Sequence, residues 1–244
     1  MRREPVIQVY KKDSPYSYTA GAYVTYELIN TRPELAEAVY IHSSFTDSCN
    51  LEDLCRKKNI PAWRNDSAFK RINLKENTYS TAIFHKYFNK LSPDKPHVVL
   101  VNPSDMGNLG SAMRTLAGVN ITNLAIIEPA ADIWHPKTIR ASMGAIFRIE
   151  IELFQSFTQY RKQFPDHDLF PFMLDGQFRL STDNCPRSFR YALIFGNEGT
   201  GLHHEFKSIG SAVRLTQSAY VDSMNLSVAI GIGTFIFANT NGQL

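Results

Sequence analysis

The chain has 244 residues, of which 43% are apolar and 20% charged, and its net charge is +3. This composition excludes extended disorder and suffices for one large or two small hydrophobic cores. No run of about 18 apolar residues occurs and no apolar signal segment opens the chain, so we expect no membrane helix and a cytoplasmic location. Three widely spaced cysteines argue against a disulfide framework and against a metal site. The small positive charge permits nucleic-acid binding without indicating it.

Residues 1 to about 90 mix short apolar runs with polar segments, which predicts a compact mixed α/β unit. The segments that carry this prediction are residues 23–28, 34–40, 51–57 and 81–91. Residues 91–96, Leu-Ser-Pro-Asp-Lys-Pro, contain two prolines and turn formers and mark a domain boundary. We therefore predict one domain over residues 1–94 and a second over residues 95–244.

Basic and aromatic residues are close together in the first of these domains. The basic residues are Arg56, Lys57, Lys58, Lys70 and Arg71, with Lys75 just beyond, and the aromatic ones are Trp63, Phe69 and Tyr79. Cations bind phosphates and rings stack on bases, so this pattern suits contact with RNA. The alternative is that the cations are solvated helix ends and the rings belong to the core.

The second domain begins with residues 97–101, His-Val-Val-Leu-Val, a run typical of a buried parallel strand. Further strands are predicted over residues 124–127, 148–153, 170–174, 191–195 and 212–215, and helices over 109–118, 136–143 and 157–164. Strands that alternate with helices indicate a mostly parallel sheet covered on both faces. Ligands bind beyond the carboxyl ends of such strands, so the loops there are candidates for a site.

The first candidate loop, residues 102–114, has Gly107 and Gly110 at the start of a helix, whose free N–H groups suit an anion. It lacks the third glycine of a dinucleotide fingerprint, which argues against an oxidoreductase. The second, residues 196–202, forms a tight glycine-rich turn around Glu198 and lacks the lysine of a P-loop. An ordinary glycine-rich turn is its alternative.

The third candidate loop, residues 220–231, leads from polar residues into an apolar helix that continues to about residue 238. Its polar residues are of the types that cap helices, and capping is the alternative to a functional role. Gly231 and Gly233 each cost roughly 1 kcal/mol relative to alanine in a helix. We therefore expect another backbone to pass close to them.

Together and in this order, the three loops resemble the signature motifs of the SpoU/TrmH group of SPOUT RNA methyltransferases. The resemblance covers roughly residues 96–241 and includes the small-residue segment 141–145, Ala-Ser-Met-Gly-Ala. Residues 1–94 more loosely resemble the ribosomal-protein-L30-like domain with which many members bind their substrate.

This resemblance implies an α/β fold in which the mostly parallel sheet contains a deep trefoil knot, a rare topology that periodicity cannot predict. It implies methyl transfer from S-adenosylmethionine to a ribose 2′-hydroxyl in structured RNA, without a metal. It also implies a homodimer formed through the catalytic domain, with the active site completed across the interface. Ribosomal RNA is favoured over transfer RNA because the first domain resembles a ribosomal protein.

The family's catalytic positions fall on Asn108, Arg114, Glu198, Ser223 and Asn225. Its cofactor-binding positions fall on Leu174, Gly196, Asn197, Gly199, Leu215 and Met224. An arginine with a pKa above about 12 is a poor base, so Arg114 is expected to clamp the target phosphate and ribose. Glu198 is expected to fix Arg114 or Asn108, or to receive the proton through water.

Two residues depart from the family pattern: Thr216 stands where proline is common and Met224 where leucine is usual, so the shape of the pocket stays open. Two other functions remain as alternatives, a non-catalytic RNA- or ribosome-binding module and an enzyme that methylates a base. The complete catalytic set argues against the first. The run Ser-Met-Asn-Leu-Ser over residues 223–227 favours ribose over base.

Overall fold

The computed structural model of the protein describes residues 4–5, 7–72 and 78–244, and Lys75 lies outside these described residues. The strands are β1 (Tyr16–Tyr18), β2 (Ala36–Ile41), β3 (Ala62–Arg64), β4 (Ser80–His85), β5 (His97–Val101), β6 (Asn123–Ile127), β7 (Glu150–Phe154), β8 (Asp168–Pro171), β9 (Phe178–Arg179), β10 (Tyr191–Phe195) and β11 (Val213–Arg214). The α-helices are α1 (Ala22–Thr31), α2 (Ser48–Lys57), α3 (Asp66–Arg71), α4 (Met106–Gly118), α5 (Pro136–Ala141), α6 (Phe157–Gln163) and α7 (Leu226–Thr240). Short 3₁₀ helices occur at Pro33–Leu35, Ala145–Arg148 and His204–Ser208.

These elements form two compact units, Met1–Tyr87 with Asp132–Arg148, and Phe88–Ala131 with Ile149–Leu244. The first unit is mixed α/β. Its sheet has the order β1-β4-β2-β3, in which β1 and β2 are antiparallel to β4 and β3 is parallel to β2.

The grouping of residues 132–148 with the first unit differs from the sequence pattern, which puts them in the C-terminal half. The hydroxyl of Ser17 donates to the carbonyl of Trp134. The rings of Trp134 and Phe147 pack edge-on against Phe84, with centroids 5.9 and 5.2 Å away. Aromatic side chains bury large apolar areas, so these contacts hold the segment in the first core.

The second unit contains a five-stranded sheet in which all strands are parallel, in the order β7-β6-β5-β10-β8. This confirms the predicted parallel sheet, and β5 and β10 have the predicted bounds. The sixth predicted strand, residues 212–215, shortens to β11 and pairs with β9 in a separate two-stranded ladder. Helix α4 starts at Met106, earlier than predicted, because the Asp105 side chain accepts from the Asn108 N–H at 2.7 Å and caps it.

A buried histidine pair lies at the start of the central strand β5. His97 is fully buried, and its ring stacks on that of His167 with centroids 4.2 Å apart. Its ring nitrogens contact the Tyr160 hydroxyl at 2.9 Å and the Ser92 carbonyl at 2.8 Å. Burial, helped by the nearby His167, lowers the pKa of His97 from 6.5 to about 4. Burial also lowers the pKa of His167.

We predict that this pair makes the protein sensitive to acid. An unfolded chain binds more protons at His97 than the folded protein does between pH 6.5 and about 4, so stability falls as the pH is lowered through that range, and the lowered pKa of His167 acts in the same direction. The contribution of His97 amounts to at most about 3 kcal/mol. In urea unfolding, His97→Gln should lose less stability on acidification than the wild type, whereas the exposed His204→Gln should follow the wild type. Equal slopes for all three proteins would contradict the prediction.

Candidate active site

The carboxyl ends of β5 and β10 lie side by side because these strands are neighbours in the parallel sheet. The first loop leaves β5 and the second leaves β10, so the two meet at this edge. The side-chain amide of Asn197 donates to the carbonyl of Asn102 at 2.8 Å and joins them. The strand order reverses here, since β6 follows β5 in sequence but pairs with its opposite edge. Ligands bind at such switch points.

Glu198 fastens the second loop to the first. One carboxylate oxygen accepts from the N–H and the hydroxyl of Ser104, at 2.9 and 2.8 Å. The other accepts from the N–H of Asp105 at 3.1 Å and from the amide of Asn108 at 3.4 Å. Burial disfavours the charged form, but these hydrogen bonds outweigh it and lower the pKa of Glu198. With its oxygens occupied and its pKa lowered, this carboxylate is a clamp and a poor proton acceptor.

Asn225 brings the third loop to the same place. Its side-chain oxygen accepts from the N–H and hydroxyl of Ser227, at 2.9 and 2.6 Å, and caps α7. Its amide nitrogen donates to the side-chain oxygen of Asn108 at 3.1 Å. The capping alternative therefore holds for this residue, which in addition completes a hydrogen-bonded chain from Glu198 through Asn108 to Asn225.

The remaining two predicted catalytic residues stand apart from this chain. Ser223 is exposed and lines a cavity together with Glu198. Arg114 is exposed on α4, and the structure gives it no ion pair or side-chain hydrogen bond with any described residue. It is six positions after Asn108 in the helix, which corresponds to about 9 Å along the helix axis. Of the two contacts expected for Glu198, the one with Asn108 forms and the one with Arg114 does not.

The cavity has a volume of about 310 Å³ and opens between the second and third loops. Every residue predicted to bind the cofactor lines it, namely Leu174, Gly196, Asn197, Gly199, Leu215 and Met224. Its volume falls within the range of about 300–1,000 Å³ that is usual for small-molecule sites. Its apolar walls and the backbone of the glycine-rich turn suit a flat ligand with polar edges.

Two aromatic rings of the cavity were not predicted from the sequence. Phe172 and Phe195 line it, with their rings stacked at a centroid distance of 4.3 Å. Phe195 ends a buried strand and Phe172 follows one, so the sequence signal indicates core and nothing more specific. The rings provide a flat apolar wall.

The glycines of the site have different reasons for being there. A Cβ at Gly196 would lie 2.1 Å from the carbonyl carbon of Gly201, so only glycine fits this turn. A Cβ at Gly233 would lie 2.6 Å from the ring of Phe172, whereas one at Gly231 would meet Thr115 at an ordinary 3.8 Å. Among the described residues, the prediction that another backbone passes close is therefore wrong for both glycines. At Gly233 the close neighbour is a ring.

The cations predicted to contact RNA all lie exposed in the first unit. Arg56 and Lys57 are in the last turn of α2, Lys58 follows it, and Lys70 and Arg71 are in the last turn of α3. Cations are favourable at helix carboxyl ends whatever their function. Phe69 belongs to the hydrophobic core, so the core alternative holds for that ring.

Over residues 4–5, 7–72 and 78–244, no helix is long and apolar enough to cross a membrane. The same described residues contain no cluster of histidine, cysteine, aspartate or glutamate arranged to hold a metal ion.

A parallel sheet with a cavity beside the loop that leaves one of its switch-point strands is typical of a ligand-binding α/β domain. Residues 95–235 match the model of the SpoU rRNA Methylase family. The match spans more than half of the chain, and the protein belongs to this family.

Three known proteins illustrate the relationship. An uncharacterized tRNA/rRNA methyltransferase of Mycobacterium leprae is 29% identical over 142 residues, 58% of this chain and 46% of that protein. The 23S rRNA (guanosine(2553)-2'-O)-methyltransferase RlmP of Bacillus subtilis is 26% identical over 154 residues, 62% of this chain and 61% of that protein. The SpoU methyltransferase AviRb from Streptomyces viridochromogenes, in complex with the cofactor AdoMet, has a TM-score of 0.77 at 15% identity, over 92% of this chain and 90% of that chain. This last likeness shows the fold alone. The chain spans half or less of the length of the first curated relatives it matches.

We predict that Glu198→Gln destabilises the protein by about 1–3 kcal/mol, because the N–H groups of Ser104 and Asp105 lose a charged acceptor. Urea unfolding at neutral pH measures the change. Glu205→Gln, an exposed glutamate near His203, is the matched control and should change stability by less than about 0.5 kcal/mol. Similar small changes in both variants would show that Glu198 does not hold the loops together.

Proposed function

We propose that the protein transfers a methyl group from S-adenosylmethionine to a ribose 2′-hydroxyl in structured RNA. The observation that carries this proposal is the cavity between the second and third loops, whose lining residue Glu198 is hydrogen-bonded to Asn108 and through it to Asn225. Membership of the SpoU rRNA methylase family supports it. The Bacillus subtilis relative is named as a 2'-O-methyltransferase of 23S rRNA, which favours ribosomal RNA as the target class.

The residues of the cavity fit the cofactor. Its walls are apolar at Leu215 and Met224 and polar along the backbone of the turn from Gly196 to Gly201, as an adenine ring with polar edges requires. The charged side chains in its lining are Asp175 and Glu198, and no basic side chain lines it among the described residues, so the lining does not repel a cationic sulfonium. When bound, S-adenosylmethionine supplies the methyl group. The six cofactor-binding residues predicted from the sequence would hold it.

The roles proposed for Asn108 and Glu198 follow from their contacts, and those for Ser223 and Arg114 from their exposure and chemistry. Asn108 is fixed at both ends of its amide, so it is a rigid element of the site against which a ribose is positioned. The hydroxyl of Ser223, exposed in the cavity lining, is available to hydrogen-bond the ribose. The guanidinium of Arg114 binds the target phosphate, because its planar fork matches phosphate oxygens. Glu198 is a positioning residue, since its oxygens are already occupied.

We predict that Arg114→Ala lowers methyl transfer at least a hundredfold while cofactor binding persists, because positioning of the target is lost. Transfer of labelled methyl groups to unmodified ribosomal RNA, followed by alkaline hydrolysis, measures the reaction. Label in alkali-resistant linkages identifies the ribose and excludes a base. Calorimetric titration of the wild type should show about one S-adenosylmethionine bound per chain.

The control for this experiment is Met224→Trp, which crowds the cavity and should abolish cofactor binding. Loss of cofactor binding in Arg114→Ala would show that Arg114 is structural. A folded wild type that binds no S-adenosylmethionine would favour the RNA-binding module instead.

We further propose that the protein acts as a homodimer through the catalytic domain. Arg114 forms no ion pair or side-chain hydrogen bond with Glu198 or any other described residue of its own chain, so its guanidinium is available to the site of a second copy. Helix α7, which Asn225 caps, exposes an apolar stripe at helical spacing: Val228 is 51% exposed, Ile232 37% and Phe235 52%. An exposed apolar stripe next to an incomplete site supports an interface there.

We predict that Phe235→Asp yields a monomer that binds the cofactor but transfers no methyl groups, because a buried charge opposes association. Sedimentation velocity measures the oligomeric state. Phe189→Asp introduces the same charge at a ring that is 91% exposed and should leave a dimer. A monomeric wild type with full activity would contradict the interface.

The first domain, residues 1–94, is proposed to bind RNA through Arg56, Lys57, Lys58, Lys70 and Arg71. The exposure of these side chains supports this, and a phosphate at Arg56 would replace its exposed ion pair with Asp53, which is 3.0 Å away. The mixed sheet of the first unit is compatible with the ribosomal-protein-L30-like fold that the resemblance implies.

We also propose that the chain around the cavity forms the trefoil knot implied by the family. A Cβ at Gly176 would lie 2.6 Å from the backbone of Val213, and one at Gly210 would lie 2.2 Å from the carbonyl oxygen of Leu169. Two segments distant in sequence thus pass in backbone contact, as threading requires.

A further inference from the structure

A second hollow, of about 360 Å³, lies beside the cavity and is named here the arginine hollow. Its lining consists of Leu174, Arg179, Arg214, Leu215, Thr216, Gln217, Ser218, Ala219 and Val221. Leu174, Leu215 and Gln217 also line the cavity, so they form the wall between the two spaces. No acidic residue occurs among the described residues that line the arginine hollow.

Two arginines lie side by side in this hollow. Arg179 and Arg214 are register partners in the β9–β11 ladder, and neighbouring strands are about 4.8 Å apart. Both are exposed, and neither forms an ion pair with any residue that the structure describes. Asp175, four positions before Arg179 in sequence, is already paired with Lys207 at 2.6 Å. Two guanidinium groups that extend from paired positions of neighbouring strands, with no ion pair among the described residues, repel each other, and an anion bound by both would reduce that repulsion.

The guanidinium of Arg179 is held in place by a neutral acceptor. Its Nε donates to the hydroxyl of Thr216 at 2.7 Å. Because this bond uses Nε, the terminal nitrogens keep their donors for another oxyanion. Thr216 stands where the resemblance leads one to expect proline. A proline has no side-chain hydroxyl, so this replacement provides the acceptor that orients Arg179.

We propose that the arginine hollow binds a backbone phosphate of the RNA substrate next to the cofactor cavity. The inference rests on the proposed function and extends it, since it assigns an RNA contact within the catalytic domain. Phosphate and the carboxylate of the cofactor share the chemistry that two arginines recognise. The phosphate is favoured because both arginines are exposed to solvent and Leu174 and Leu215 separate them from the cavity.

The test compares Arg179→Gln, Arg214→Gln and the double variant with the wild type. The probe is a fragment of large-subunit ribosomal RNA transcribed in vitro, whose binding is followed by fluorescence anisotropy over a series of salt concentrations. Phosphate contacts are independent of sequence, so the fragment need not contain the target nucleotide. The double variant should bind about tenfold more weakly at low salt, and the slope of log K against log salt should fall by about one.

Arg187→Gln is the matched control, because Arg187 is an exposed arginine of the same unit that does not line the hollow. It removes the same charge and should leave the salt slope near the wild-type value. A second pair of variants tests the positioning of Arg179 without any change in charge. Thr216→Val should weaken RNA binding toward the level of Arg179→Gln, whereas Thr216→Ser should retain wild-type binding.

Calorimetric titration of the same variants with S-adenosylmethionine should give wild-type affinities. Weakened cofactor binding with unchanged RNA binding would overturn the proposal and assign the arginines to the cofactor carboxylate. The proposal would also be overturned if the double variant bound RNA as well as Arg187→Gln does, or if the wild type bound no RNA. If RNA binding depends on Arg179 and Arg214 but the wild type transfers no methyl groups, the proposed function is wrong and the phosphate site in the arginine hollow still stands.

Discussion

The carboxylate of Glu198 joins two loops that are 94 residues apart in sequence, and the geometry of the site depends on this contact. The two loops follow β5 and β10, which are neighbours in the sheet, so the backbones of the loops lie close together. The N–H groups of the first loop need acceptors there. A charged acceptor satisfies two of them at once and favours its own ionised form by doing so. The same set of hydrogen bonds therefore keeps Glu198 ionised and fixes the conformation of the first loop.

The orientation of Asn108 follows from that charge. An asparagine amide has one donor end and one acceptor end, and only the donor end can face a carboxylate. With its nitrogen directed at Glu198, the oxygen of Asn108 is left for the amide of Asn225, which is the observed arrangement. The position of the third loop is thus linked to the second through one side chain, although no hydrogen bond joins Glu198 to Asn225 among the described residues.

Strong local signals could be predicted from the sequence, and weak ones could not. The apolar runs of β5 and β10 are continuous and their strands have the predicted bounds. Strand β11 lies within the predicted segment 212–215, but its partner β9 has only two residues, too few for any periodicity, and the ladder forms because distant segments meet. The grouping of residues 132–148 with the first unit depends on packing of Trp134 and Phe147, which no local pattern indicates.

The candidate site divides in the same way. Polar motif residues such as Asn108 and Asn225 are recognisable by type and spacing, whereas Phe172 and Phe195 look like ordinary core residues. Arg114 is recognisable in the same way, and its place about 9 Å along the axis from Asn108 follows from the six positions between them in α4. Its lack of a partner could not be predicted, since that depends on which side chains the folded chain brings near it.

Charge is partitioned around the cavity in a way that matches the chemistry proposed for it. The acidic side chains Asp175 and Glu198 line the cavity, and no basic side chain does so among the described residues. Asp175 is paired with Lys207 and the oxygens of Glu198 are occupied by the first loop, so the lining accommodates a cationic sulfonium chiefly by placing no guanidinium against it. The arginines at 179 and 214 lie in the adjoining hollow, behind a wall that includes two leucines. Separate compartments for a cation and an anion let one small domain bind both, because the anion is held by the arginines and the wall keeps those arginines apart from the cation.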